Sequence, residues 1–420
     1  MTLTDIVTGN AFLSRYMEMT KRDECDELYR LWSGIATLSA ALERRVWVDW
    51  EDGISYYPNQ FICLVGDAAA RKGTAMKPCY SLLSRVGVNF GPSSTPIETL
   101  IHRLAHTSDW ITHVDSDGNL TELEPHASMF MHSPELTNLI GVKDSRAMQY
   151  FCELYDCLDS FRYCTHVHGD LNIENVCMTW LTGTTTENLE AHLPSESIGG
   201  GFTSRFIFAY GQESQILNSA VARKPAKQWR QALFDQLVTH LKGVKLLHGP
   251  FYVTAECEAA YIAWREYAKR NPPGPAYDPK LKGYMGRRPA HLRKLMMALS
   301  AGRGSDLTLR DTDYVTAVAI LEHTERFMSQ ALRRVGATTQ QMLITSIYDM
   351  IINQTARGFK VTFKDIMRKH IGMSDTETIK DLIKQAVAVD WITTVEHNGV
   401  QHFNKGRIDA RTGEPWGEGQ

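Results

Sequence analysis

The residues that could do chemistry begin at Gly66, where VGDAAARKGTAM (65–76) follows the apolar run FICL. Gly66, Lys72 and Thr74 are the residue types of a phosphate loop. In such a loop backbone N–H groups wrap the phosphates, an ammonium reaches their outer end, and a hydroxyl holds magnesium. The ordinary spacing, G-x-x-x-x-G-K-[ST], is broken twice: Arg71 stands where the second glycine belongs, and Gly73 where the hydroxyl belongs. Gly73 is expected to supply the backbone freedom that residue 71 lacks, with Thr74 presenting its hydroxyl to the metal. The competing reading is a plain strand-to-helix turn with a solvated Arg71–Lys72 pair.

Phosphoryl transfer to water also needs a carboxylate to orient the nucleophile and a cation to offset charge on the leaving phosphate. Glu135 closes the apolar run ASMFMHSPEL (127–136), where such a carboxylate would sit. It reads equally well as a helix-start acid after Ser133 and Pro134. Thr182, Thr184 and Thr185 follow TWL and suit contact with an outer phosphate or the attacking water, or else an ordinary N-cap run. Arg205, between GGGFTS and FIFAY, is a candidate arginine finger, though a surface arginine would look the same.

From Lys280 to Lys294 the cations Lys280, Lys282, Arg287, Arg288, Arg293 and Lys294 occur with no acid among them. Arg287, Arg288 and Lys294 are the candidates for nucleic-acid or lid contact, with a solvated basic loop as the alternative. THVHGD (165–170) places His166, His168 and Asp170 on one side of an extended segment. A catalytic zinc centre needs a fuller ligand set than that, so a strand edge or hairpin is the preferred reading.

These residues need elements to hold them. Leu28, Leu31, Trp32, Ile35, Leu38 and Leu42 share one face of a packing helix over residues 24–44. The segment RRVWVDWEDGISYYPNQFICLVGD reads as a strand, a turn and a second strand ending at Gly66, with a helix from about Ala75 to Val86. Strands are expected again at 127–136, from Val176, and at FIFAYG (206–211), so residues 45 to 215 imply a mostly parallel sheet covered on both faces. Residues 226 to 335 turn helical around a loop, NPPGPAYDPKLKGYMGRRP. The tail gives helix, short helix, helix and then WITTVEHNGVQHF, a hairpin signal; that order matches a winged helix. Its third helix, DTETIKDLIKQAVAVD, is a poor major-groove reader, whereas Lys360, Lys364, Arg368, Lys369 and His370 offer a basic face just upstream.

Composition limits the rest. The 420 residues are 43% hydrophobic and 22% charged with a net charge of -3, which fits a folded chain of two or three domains and disfavours a globally basic nucleic-acid coat. The cysteines stand singly without a CxxC pair, and no window is long and apolar enough for a membrane span. A cytoplasmic location, bacterial or in a host cell, is expected.

Taken in order, GDAAARKGTA, the SPEL box (133–136), LYD (154–156), TWLTGTTTENL (179–189), GGGFTSRF (199–206) and YMGRRPAHLRKLMMALSA (284–301) resemble a known family. It is that of the RecA-like or AAA+-related helicase ATPases of phages, plasmids and other mobile elements, often fused or paired with primases. The resemblance covers roughly residues 25 to 335. It implies an α/β RecA-like P-loop NTPase core that uses ATP and Mg2+. In the family the RKGTA form of the loop is familiar, so Arg71 and Gly73 do not mark a dead site.

By resemblance, Gly66, Asp67, Ala68, Ala69, Ala70, Arg71, Lys72, Gly73, Thr74 and Ala75 contact nucleotide. Thr74 holds the metal, Glu135 positions water, and Thr184 or Thr182 senses the outer phosphate. Arg205 completes a neighbour's site, which implies a ring, taken as a hexamer, moving along single-stranded DNA, with a primase or loader as a further partner. His132 and Ser133 depart from the pattern, because an aspartate is expected before Glu135. The implied organisation is a helical segment (1–44), the ATPase core (45–225), a helical lid (226–336), a winged helix (337–406) and a disordered tail (407–420). An ATP-switched replication initiator or defence or assembly protein without unwinding activity is the alternative.

Overall fold

The computed structural model describes the chain apart from residues 1–2, 51–52, 108, 115–119, 166–168, 195–196, 198–199, 213, 215, 217–223, 305, 336–338, 371, 398 and 411–420. His166, His168 and most of the expected disordered tail lie outside the described residues.

FICLV forms strand β1 (Phe61–Val65), buried along its whole length, as a strand covered on both faces must be. It lies in a five-stranded sheet with β2 (Asp109–Val114), β3 (Leu120–Ser133), β4 (Val176–Thr184) and β5 (Phe206–Tyr210), in the order β2-β3-β4-β1-β5. The pairs β3–β4, β4–β1 and β1–β5 are parallel, while β2 runs antiparallel to β3 at the edge. The chain is therefore α/β, with four parallel strands at the heart of the sheet. Because β4 and β5 flank β1, the turn that leaves Val65 emerges in the middle of the carboxyl edge. In open α/β sheets, ligands bind in the crevice at such a point.

Helix α1 (Ala11–Thr20) and helix α2 (Glu27–Leu42) precede the sheet. The expected single apolar face of α2 is a correction: every residue from Leu28 to Leu42 is buried. The helix is enclosed by α1, by the sheet and by the helices α3 (Lys72–Arg85) and α8 (Lys282–Arg303), so its small residues Gly34, Ala36, Ser39 and Ala40 serve close packing. A Cβ on Gly34 would come 3.0 Å from the Tyr16 ring. Further helices are α4 (Ser145–Asp156), α5 (Thr186–His192), α6 (Lys224–Val244), α7 (Ala255–Arg270) and α9 (Asp311–Leu332).

Residues Met1–Val335 form one compact unit, with a single apolar core running from Leu3 to Val335. The expected terminal helical segment, ATPase core and lid therefore share one interior. The expected basic loop is also corrected, because α8 starts at Lys282 and carries Pro289 inside it. Interior proline costs roughly 3 kcal/mol in a helix, and the burial of α8 from His291 to Gly302 outweighs it.

The second unit, Gly336–Gln420, has its own core of Leu343, Ile347, Ile351, Ile366, Ile379 and Phe403, among others. It runs α10 (Thr339–Ala356), β6 (Val361–Thr362), α11 (Phe363–His370), α12 (Thr376–Ala388), β7 (Ile392–His397) and β8 (Val400–Lys405), with a three-stranded sheet in the order β6-β8-β7. His370 does not belong to the basic face. It is buried, bonded to Ser346 Oγ at 2.9 Å and to the Ile366 carbonyl at 2.8 Å.

Candidate functional site

Gly66 follows Val65 because nothing larger fits. A Cβ there would lie 2.1 Å from the Tyr29 hydroxyl, which itself donates to the Val65 carbonyl at 2.6 Å. Asp26 caps α2 through Leu28 N–H and also accepts from Gln212 N–H at 2.7 Å. The start of α2 thus ties the ends of β1 and β5 together beneath the turn.

The turn itself is strained. Ala69 (φ 69°) and Arg71 (φ 59°, ψ 27°) both adopt the left-handed conformation. For residues with a Cβ this costs roughly 1–2 kcal/mol each. The expectation that Gly73 relieves residue 71 is therefore corrected: Arg71 takes the left-handed conformation itself, and Gly73 sits in the first turn of α3 with open space about its Cα. The Arg71 side chain turns outward to Glu24, 3.2 Å away. Helix α3 begins with no side-chain cap and no acid in its own first turn, which leaves its positive end uncapped towards the turn.

Lys72 opens that helix and folds back, donating from Nζ to the carbonyls of Gly66 (2.8 Å) and Asp67 (3.0 Å). Burial pulls its pKa below the ordinary lysine value, and the charge of Glu135 acts in the opposite direction. Glu135 is thus close enough for its field to reach the ammonium. It follows β3, and its Oε1 is buried with no hydrogen-bond partner. An acceptor left in that state costs roughly 1–3 kcal/mol, more when charged, so the arrangement is poised for a donor from a ligand or water.

Gly183 lets the two approach, a role not read from the sequence. A Cβ there would stand 3.1 Å from the Pro134 carbonyl and 3.5 Å from Lys72 Cβ. The only signal was a glycine inside an otherwise apolar strand, which marks a close backbone approach.

The threonines separate by role. Register pairs Ser133 with Thr182, and Ser133 Oγ donates to Thr182 Oγ1 at 2.9 Å while accepting from Trp180 Nε1. Thr182 therefore belongs to the sheet, and its assignment as a sensor is corrected. Thr185 caps α5 by accepting from Asn188 N–H. Thr184 remains at the carboxyl end of β4, opposite Val65, where its carbonyl accepts from Gly66 N–H at 3.4 Å. His132, in the strand before Glu135, packs beside the Tyr80 ring, and burial lowers its pKa below the ordinary histidine value. Were magnesium to bind here, the Thr74 hydroxyl, partly exposed on α3, and the Glu135 carboxylate would be the oxygen donors closest to the turn's lysine in sequence and field. That is a sparse set, suited to an ion that keeps several waters and takes its other ligands from phosphate.

Other candidates lie elsewhere. Arg205 precedes β5 at the amino edge, and β1 alone spans about 16 Å between the two edges. It cannot serve the loop of its own chain. Its guanidinium bonds Asp156 and the Gly201 carbonyl. Arg288 is corrected outright, since it is buried and bonded through Nε and Nη2 to Glu325 at 2.6 and 2.8 Å, over the Trp264 ring. Lys294 is also buried, held by the Tyr57 carbonyl and Asn59 Oδ1, while Lys280 Nζ caps the carbonyls of Leu332 and Arg333. Arg287 keeps about a third of its side chain exposed, 3.5 Å from Asp156.

No family model matches the chain, and no curated protein matches it. Among the described residues no group of three or more His, Cys, Asp and Glu side chains could hold a metal, and no helix is long and apolar enough to cross a membrane.

Proposed function

We propose that the turn at Gly66–Arg71 and the start of α3 bind and hydrolyse a nucleoside triphosphate, ATP by preference, within a RecA-like P-loop core. The observation that carries this reading is the facing pair: a half-buried lysine folded onto loop carbonyls, and a glutamate whose Oε1 is buried without a partner. In a bound complex Lys72 would exchange the Gly66 and Asp67 carbonyls for outer phosphate oxygens. Loop N–H groups and the uncapped end of α3 would take the remaining negative charge. Magnesium, held by Thr74, would supply charge neutralisation. Glu135 would orient the attacking water and Thr184 would contact the outer phosphate. The strained backbone at Ala69 and Arg71 is the kind of shape that a ligand cradle retains.

At the level of the whole protein the reading is an ATP-driven DNA translocase or helicase that works as a ring. In such a ring Arg205, at the far edge of the sheet, serves only a neighbouring subunit, and only when its Asp156 pair opens. The second unit is read as a winged helix that touches the DNA backbone through exposed Lys360, Lys364, Arg368 and Lys369. Its third helix is unsuited to base reading, because Lys380 and Lys384 are paired with Glu377 and Asp381.

Phosphate release measured with ATP and magnesium tests the site. Lys72→Ala is expected to lose both nucleotide binding and turnover. Glu135→Gln should retain binding and lose roughly 100-fold or more of the rate. Equal turnover by all three proteins would end the proposal. Strand displacement on a forked substrate separates a motor from an ATP-operated switch.

A further inference from the structure

The second unit carries a feature that contact with a DNA backbone does not use. Helix α10 closes on Gly358, which stands at φ 80°; its N–H donates to the Thr355 carbonyl at 2.9 Å, and the Phe359 N–H donates to the Gln354 carbonyl at 3.0 Å. That pair of bonds is a Schellman closure, in which the residue after the glycine commonly packs back onto the helix. Phe359 does not follow that habit. Its backbone is held by the closure, yet the residue remains 62% exposed.

Phe359 lines a cavity of about 450 Å³ together with apolar Met350 and Val361 and the cations Lys360, Arg368 and Lys369. Arg357 and Lys364 add two further exposed cations to the same turn and to α11. Among the described residues none of these five cations has an ion pair or a side-chain hydrogen bond. The acid of the stretch, Asp365, also lines the cavity, but its Oδ2 is spent on the Thr362 hydroxyl (2.6 Å) and N–H (3.0 Å). Those bonds first, and then the fields of Arg368 and Lys364, hold its carboxyl below the ordinary aspartate value. Four acids from elsewhere in the unit have other partners: Asp375 caps α12, Glu377 and Asp381 pair with Lys380 and Lys384, and Asp409 accepts from the Tyr348 hydroxyl.

A single-stranded nucleic acid repeats one charge and one flat base per residue, and both parts find a match on this face. In a duplex the base faces are stacked and paired, so only an unpaired strand can offer one to the Phe359 ring. An acidic peptide would satisfy the cations without bringing a flat group at each charge. We infer that the second unit takes single-stranded DNA across this face, with an unpaired base set against Phe359 in the cavity and the flanking phosphates on Lys360, Arg368 and Lys369. The inference rests on the DNA contact proposed for this unit and makes it specific for the unpaired strand. It also gives the unit a binding face that does not use α12, whose lysines are already paired.

The test uses the full-length chain without ATP and fluorescence anisotropy of labelled probes of equal length: oligothymidylate, an abasic deoxyribose-phosphate strand and a duplex. Oligothymidylate is expected to bind about fivefold or more tighter than the abasic strand. Phe359→Ala, at an exposed position and with an unchanged melting temperature, should erase that difference and leave the abasic affinity as it was, whereas Phe359→Trp should keep it. Lys360→Gln with Arg368→Gln and Lys369→Gln should weaken both strands and flatten the salt dependence by a slope of roughly 2. Equal binding of the two strands, a preference that survives Phe359→Ala, or tighter binding of the duplex would overturn the base pocket while leaving the backbone contact standing. A triple variant that binds every probe as the unaltered chain does would remove the DNA contact itself. Polyglutamate competing as well as oligothymidylate at equal charge would overturn the inference in favour of an acidic protein partner. None of these outcomes bears on ATP turnover at Lys72.

Discussion

Arg71 holds φ 59° and ψ 27° at the point where a phosphate loop ordinarily has glycine. Its side chain gains only a partly exposed pair with Glu24, an interaction worth about 0–1 kcal/mol. Arg71→Gly removes the left-handed penalty and adds unfolded-chain entropy of opposite sign. Urea unfolding should therefore show a change between zero and about 1 kcal/mol in favour of the variant. Arg71→Val, with its branched Cβ, should lose more than 1 kcal/mol. Destabilisation by glycine would mean that the side chain matters more than the backbone here. That Lys72, Glu135 and Thr184 stand at the carboxyl ends of buried strands or just beyond them was legible from their positions after apolar runs. The loss of Thr182 to Ser133 was not, because it depends on the register between β3 and β4.

The element that aims Lys72 is α3, and its direction is set where β1 ends under Tyr29. Gly66→Ala places a methyl group 2.1 Å from the Tyr29 hydroxyl, an overlap expected to cost roughly 1–3 kcal/mol and to disturb the turn. Tyr29→Phe in the same chain removes the clashing oxygen. Thermal melts should then recover at least half of the loss, even though the Val65 carbonyl forfeits a donor. A double variant no better than Gly66→Ala would show that the close Gly211 carbonyl, 3.2 Å from the same Cβ, decides the geometry instead. The run from Lys280 to Lys294 teaches a related lesson. Its sequence has no acid, yet Glu325 of α9 pairs with Arg288 and Asp156 of α4 with Arg287, both from other elements. Local charge patterning cannot report partners that arrive from dozens of residues away.

At the scale of the molecule the chain divides after Val335 into two units with separate cores. Calorimetry should resolve two unfolding transitions. ATP with magnesium should raise only the one belonging to the larger unit, by the equivalent of about 2.7 kcal/mol at a hundredfold excess over the dissociation constant. A fragment spanning residues 337–410 should melt cooperatively by itself and ignore ATP. A shift of the smaller transition instead would move the nucleotide away from the Gly66 loop.

Sequence by itself determined the buried parallel strands, the strand-to-helix turn at Gly66, the residue types gathered there and the helix–helix–helix–hairpin order of the tail. Those follow from local rules of hydrophobic period, glycine and turn chemistry, which act over a few residues. Only the tertiary structure decided which polar groups are already spent and which remain open, since Arg288 found Glu325, Arg205 found Asp156 and Glu135 Oε1 found nothing. The physical reason is that burial makes every unpaired charge or acceptor costly, so availability is fixed by the three-dimensional neighbourhood and not by the residue's own identity.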